Sequence, residues 1–237
     1  MVIDHCACRY PSRRDFVVTS ALAALAVPFL HPARGVAAGP AKQPSVNEAR
    51  RRLVAGNARF VNGKSAQPDY PDRRHVLAAG QSPYVIILGC SDSRVPPEVV
   101  FDQGLGDAFT IRVAGNFADD ADIGSMEYAV RQFGTPLIVV LGHEKCGAVT
   151  ATVEALTSGS MPGPHIRTIV DAIAPAVRAS AGRPGDPIEN AVRANVESVV
   201  ATLRGSLPVL KPAIDAGRLS VIGAEYALES GKVTFFG

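Results

Sequence analysis

The sequence predicts an α/β fold, a mostly parallel β-sheet with helices on its faces. Three features point there. "YVIILG" (Tyr84–Gly89) and "PLIVVLG" (Pro136–Gly142) are short, continuous apolar runs rich in β-branched residues, as expected of strands covered on both sides. Segments with helical apolar spacing stand between and after them. No repeat, low-complexity run or linker divides residues 45–237.

Each element has its own signal. In "SVNEARRRLVAGNARFVNG", Ser45 is placed to cap a helix, with Glu48 three residues on, apolar positions at Leu53, Val54, Phe60 and Val61, and Gly63 as the stop. "DYPDRRHVLAAGQSP" reads as loop and a short helix before the first apolar run. "DAFTIRVAGN" is a second strand, ended by Gly115-Asn116. "IGSMEYAVRQFG" is a helix stopped by Gly134, and "GAVTATVEALTSG" a helix after the third strand. Residues 165–216 are mostly helical, broken at "GRPGDP". "RLSVIGAEYAL" and "KVTFF" close the chain as strand, turn and strand.

Composition narrows the function classes. The chain has 237 residues, 47% hydrophobic and 19% charged, which suits a single domain with an appendage. The appendage is residues 1–38, read as an export signal. Arg13 and Arg14 precede the apolar stretch Phe16–Leu30, and Val36–Ala38 supplies a small-residue cleavage site. The arginine pair resembles a twin-arginine signal, so the protein is expected in the periplasm or otherwise exported. The apolar stretch is short for a bilayer and Pro28 interrupts it, so no stable membrane insertion is expected after processing. Residues 39–44 form a short linker, and 45–237 the catalytic domain. The signal carries four arginines and two aspartates of the chain's 24 basic and 22 acidic residues. The remainder is therefore formally neutral, and it has no basic stripe, which argues against a nucleic-acid partner. Only Cys90 and Cys146 remain after processing.

One stretch breaks the strand pattern. "YVIILG" runs into "CSDSR", which puts a thiol, a carboxylate and a guanidinium at Cys90, Asp92 and Arg94. The third strand runs into "GHEKC", with His143 and Cys146 three residues apart. In open parallel sheets sites gather outside the carboxyl ends of strands, so these two turns can meet. Cys90, His143 and Cys146 make a two-thiolate, one-imidazole set suited to zinc, with one tetrahedral position left open. The same residues also allow plainer readings: small core cysteines, a Cys90–Cys146 disulfide in an oxidising compartment, and a surface ion pair between Asp92 and Arg94.

"CSDSR" with "GHEKC" resembles the β-class carbonic anhydrases. The likeness runs from "ARRRLVAGNARF" through "GQSPYVIILGCSDSRVPPE", "GDAFTIRVAGN" and "EYAV" to "LGHEKCGAV", and so covers nearly all of residues 45–237. The resemblance implies one zinc ion on Cys90, His143 and Cys146, an Asp92–Arg94 catalytic dyad, and a substrate pocket at Gln81, Phe109 and Tyr128. It implies a lyase that hydrates carbon dioxide reversibly to bicarbonate and a proton through zinc-bound hydroxide. Carbon disulfide or carbonyl sulfide hydrolysis on the same fold, and a non-catalytic zinc-binding protein, are the alternatives. It also implies a homodimer or homotetramer, with the first helix packed on a partner. Members gated by bicarbonate carry a tryptophan near the first zinc cysteine. This chain has none, and Ile87 stands there. Zinc is known to lower the pKa of its water to about 7 in three-histidine carbonic anhydrases. Two thiolates cancel the ion's charge, so a midpoint nearer about 8 is expected here. Glu144 and Lys145, between the two ligands of the second motif, are expected to face solvent.

Overall fold

The computed structural model describes residues 42–66 and 70–237. The export-signal reading of residues 1–38 lies outside them. Thirteen elements follow along the described chain: α1 (Val46–Val61), α2 (Tyr70–Leu77), β1 (Val85–Gly89), α3 (Pro97–Val100), β2 (Ala108–Arg112), α4 (Asp120–Phe133), β3 (Leu137–His143), α5 (Gly147–Ser158), α6 (Pro164–Ser180), α7 (Pro187–Gly205), α8 (Leu210–Asp215), β4 (Ser220–Tyr226) and β5 (Val233–Phe236). The expected elements form, and the short α3 is an addition. Its Pro97 sits at the first helical position, where the missing N–H costs nothing.

The strands make one sheet in the order β2-β1-β3-β4-β5. The first four are parallel and β5 pairs antiparallel with β4, as a strand–turn–strand ending requires. β1 and β3 are buried along their whole length, so their unbroken apolar runs are explained by helices on both faces. Strand alternation sends Val85, Ile87, Val139 and Leu141 to one face, against Ala49 and Leu53 of α1 and Phe101. Ile86, Leu88, Ile138 and Val140 go to the other, against Met126 of α4 and Val196, Val199 and Leu203 of α7. α7 lies unusually close to the sheet. A Cβ on Gly142 would stand 2.6 Å from Val196 Cγ2, and one on Gly223 2.9 Å from Val196 Cγ1.

Two helix ends confirm the capping logic. The Ser45 side chain accepts from the Glu48 N–H, and Gly134 ends α4 in a left-handed conformation. One face of α1 packs on its own chain. Ala49 and Leu53 are buried in the core. Buried Asn57 gives Nδ2 to the carbonyls of Val100 (3.0 Å) and Gly231 (2.9 Å) and takes the Val233 N–H (2.9 Å). Val54 and Val61 of the same helix are exposed.

Register positions the site. Gly89, the last residue of β1, pairs with Arg112 on β2 and with Leu141 on β3. Cys90 therefore leaves the sheet between the ends of β2 and β3, beside His143.

Candidate metal centre

Cys90 Sγ, a ring nitrogen of His143 and Cys146 Sγ all lie within 4.8 Å of one another, and all three residues are buried. Cys90 follows β1, His143 ends β3, and Cys146 caps the start of α5. The turn between the last two is tight, with Lys145 at φ 52°, in the left-handed region that side chains seldom adopt. Carboxylates hold it from two sides. Glu189 Oε1 on α7 accepts the Lys145 N–H (3.0 Å), and Glu144 Oε2 accepts the Leu228 N–H (2.9 Å). Lys145 is exposed as expected. Glu144 is not free in solvent: it is half-buried and ties this turn to the loop after β4.

The donors fit zinc. Both cysteines are free thiols, so the disulfide reading does not hold in this structure. Their sulfurs are 4.0 Å apart. Two Zn–S bonds of about 2.3 Å at a tetrahedral angle put sulfurs about 3.8 Å apart. His143 places Nδ1 2.9 Å from its neighbour's carbonyl, Glu144 O, which assigns the ring proton to that nitrogen. Nε2 is then the lone-pair atom, and it is buried with no hydrogen-bond partner. A buried acceptor left unpaired is costly, and a metal ion resolves it. The hydrogen bond from Cys146 pushes the Cys90 thiol down to about 4, opposed by burial and helped by the Gly115 N–H. Cys146 is pushed up, first because it is the donor to Cys90 and then by burial. The two thiols are thus pushed in opposite directions, and a metal ligand must be the deprotonated thiolate.

Asp92 and Arg94 stand at the rim. Arg94 donates from Nε to Asp92 Oδ1 (3.0 Å) and from Nη2 to Oδ2 (2.7 Å), and its backbone N–H reaches Oδ1 (2.9 Å). This is a bidentate pair rather than a loose surface contact. Arg94 holds the Asp92 carboxyl well below the usual carboxylate range. Oδ1 accepts two hydrogen bonds and Oδ2 one, so Oδ2 keeps acceptor capacity. It is also Oδ2 that lies 3.9 Å from His143 Nε2.

The structure brings together five of the eight predicted residues. Gln81 is exposed in the loop before β1. Phe109 packs on the α4–α7 side of the sheet, with its ring 6.5 Å from Phe133. Tyr128 is 51% exposed and meets Phe133 edge-on at 5.6 Å. None of the three has a hydrogen bond or ring contact with the Cys90–His143–Cys146 group within this chain. Residues beyond the sequence-based set also serve the site. Arg112 donates from Nε to Cys90 O (2.9 Å) and from Nη2 to Asp92 O (2.7 Å), which fixes the backbone of the first turn. Gly115 gives its N–H to Cys90 Sγ (3.3 Å). Their one sequence signal is position, since "IRVAGN" leaves the carboxyl end of a strand beside β1.

A parallel α/β sheet with an open two-thiolate, one-imidazole centre at its strand ends defines a zinc protein built to act on a small ligand. The chain belongs to the carbonic anhydrase family, whose profile matches residues 85–233, and within it to the β class. It is 42% identical over 183 residues to carbonic anhydrase 2 of Mycobacterium tuberculosis, covering 77% of this chain and 88% of that protein. Among solved structures it resembles the β-carbonic anhydrase CcaA, with a TM-score of 0.63, 30% identity, and 79% and 95% of the two chains covered. A chain from the crystal structures of two tetrameric β-carbonic anhydrases of Sordaria macrospora is also similar, with a TM-score of 0.63, 26% identity, and 81% and 98% of the two chains covered.

Proposed function

We propose that this chain hydrates carbon dioxide reversibly to bicarbonate and a proton, with zinc on Cys90, His143 and Cys146 and with Asp92 and Arg94 as its dyad. The observation that carries the reading is the unpartnered, buried Nε2 of His143 facing two free thiols, with an ionised carboxylate 3.9 Å away. The chemistry zinc supplies when bound is acidification of water, which makes hydroxide available near neutral pH. The chain's own residues do the rest. Asp92 Oδ2 accepts an O–H and so turns that oxygen's free lone pair away from itself and towards the substrate. Arg94 occupies the remaining strong acceptor positions of Asp92 and keeps the carboxylate from moving onto the metal. Arg112 sets the height of both Cys90 and Asp92 through their carbonyls.

Stopped-flow carbon dioxide hydration tests the reading. The rate should exceed buffer and rise with pH between about 7 and 9. A rate no higher than buffer throughout would overturn it. A profile already flat below about pH 7 would remove the charge-cancelling role given to the two thiolates.

In this reading the substrate pocket is completed by Gln81, Phe109 and Tyr128 in a homodimer or homotetramer. Support comes from β2, an incompletely buried edge strand, and from the exposed Tyr128 ring beside it. In this reading a second copy brings these side chains to the site. A monomer by sedimentation with full activity would refute the assembly. Residues 1–38 are a twin-arginine signal in this reading, and export of the folded, zinc-loaded protein protects both thiols. No helix among the described residues is long and apolar enough to cross a membrane. An exported protein that kept residues 1–38, or arrived with Cys90 and Cys146 paired, would count against this route.

A further inference from the structure

Cys90 is steadied by an element remote from it in sequence. The Gly115 N–H reaches Cys90 Sγ at 3.3 Å, an approach open only because residue 115 has no side chain. Gly115 has φ +82°, and a Cβ there would stand 2.5 Å from Ile173 Cδ1 and 3.1 Å from Ala148 Cβ. Glycine makes the approach possible and leaves the loop soft, because its φ and ψ are the least restricted in the chain. The next peptide has to secure the orientation. The Asn116 N–H closes a turn onto Val113 O (3.0 Å), and Gly115 O accepts a 2.8 Å hydrogen bond from Asn195 Nδ2. Asn195 is 2% exposed on α7, in a stretch that also buries Ala191, Val192, Val196 and Val199. A buried amide there carries a desolvation cost that only a fixed partner offsets. α7 itself is seated against Gly142 and Gly223 of the sheet, so this amide stands on a rigid support.

We propose that Asn195 is a positioning residue of the metal centre, which aims the Gly115 N–H at the Cys90 sulfur by anchoring the Gly115 carbonyl. A hydrogen bond to a ligand sulfur fixes its direction and tempers its charge. Outer partners of this kind typically change metal affinity by about 10–100-fold. The proposal rests on the zinc centre formed by Cys90, His143 and Cys146.

Zinc affinity, read by competition with a chromophoric chelator, and the sulfur-to-metal charge-transfer band of the cobalt-loaded protein test it. The proteins compared are the wild type, Asn195→Leu and Val199→Ala. Leucine keeps the branched shape, with added bulk, and removes the donor, while Val199→Ala loosens the same helix without touching Gly115. Asn195→Leu should bind zinc about 10–100-fold more weakly and shift the band. Val199→Ala should melt earlier with affinity and band unchanged. An unaltered Asn195→Leu protein, or equal losses in both variants, would overturn the proposal. Should Asn195→Leu fail to fold, wild-type protein loaded with NMR-active cadmium decides. Scalar coupling between the metal and the Gly115 amide proton, with slowly exchanging Asn195 amide protons, is expected, and absence of either overturns the proposal. A wild type that takes up no zinc removes the centre itself. A wild type that binds zinc, beside an indifferent variant, removes only the role of Asn195.

Discussion

The Cys90→Ser protein is expected to purify without its zinc and to hydrate carbon dioxide no faster than buffer. Zinc takes the thiolate, and Cys90 is the sulfur whose thiol is pushed down, with the Cys146 hydrogen bond as the largest cause. A serine hydroxyl stays protonated throughout the assay range and is a poor zinc ligand. What remains is Cys146 and the buried Nε2 of His143, two donors on one tight turn, which is fewer than any stable zinc site uses. Zinc per chain by atomic emission and stopped-flow rates on the same preparation check this together. Stoichiometric zinc with a wild-type rate would show that Cys90 is no ligand. The serine is small and polar in a buried position, so a lowered melting temperature is expected as well and does not bear on the ligand question.

Asp92→Asn is expected to keep its zinc and lose kcat/KM by about 10²–10⁴-fold, the range for a positioned acid–base group. The amide keeps the shape of the side chain and loses the charge. Its pairing with Arg94 then turns partly repulsive, because an NH₂ group replaces one of the oxygens Arg94 holds. The pH profile separates the roles. Asp92 is held below its ordinary value by Arg94, so its charge persists above the unfolded-state value of about 3.9 and is lost only in more acidic solution. Between pH 6.5 and 9 it is ionised whether or not the chain is folded, and contributes no slope to rate or stability. The rate profile of Asp92→Asn should therefore keep its single step, at reduced height, with any shift of the midpoint towards lower pH because a negative charge has been removed nearby. A shifted midpoint at full height would reassign Asp92. The ion pair itself adds little to the fold, since the Arg94 side chain is 54% exposed. Arg94→Ala should also retain zinc and lose rate, because the released carboxylate is free to take the metal's open position.

Much of the fold was legible from local pattern. Apolar runs of strand length marked β1 and β3, and Ser45 and Gly134 marked helix ends, because these signals depend on neighbours within a few residues. The four-residue α3 was not legible, being shorter than one period of any apolar pattern. The candidate metal-binding group and the Asp92–Arg94 pair were also readable, since Cys90, Asp92 and Arg94 share one turn and His143 and Cys146 another. Gln81, Phe109 and Tyr128 show the limit. Their assignment to a pocket came from resemblance, and inside one subunit they lie apart from the metal group.

The chain's own order thus accounts for the parallel sheet, the position of both functional turns at strand ends, and the identity of the zinc donors. Side-chain type and spacing carry that information, and the physics behind it is local. The fixing of those donors depends on folding. Arg112 on the Cys90 and Asp92 carbonyls, Glu189 on the strained Lys145 peptide and Asn195 on Gly115 each bind a backbone group, 20 to 80 residues away. Backbone N–H and C=O groups are the same at every position, so no residue type announces which of them will be held. Only the packing of α7 and β2 against the ends of β1 and β3 brings these side chains within reach.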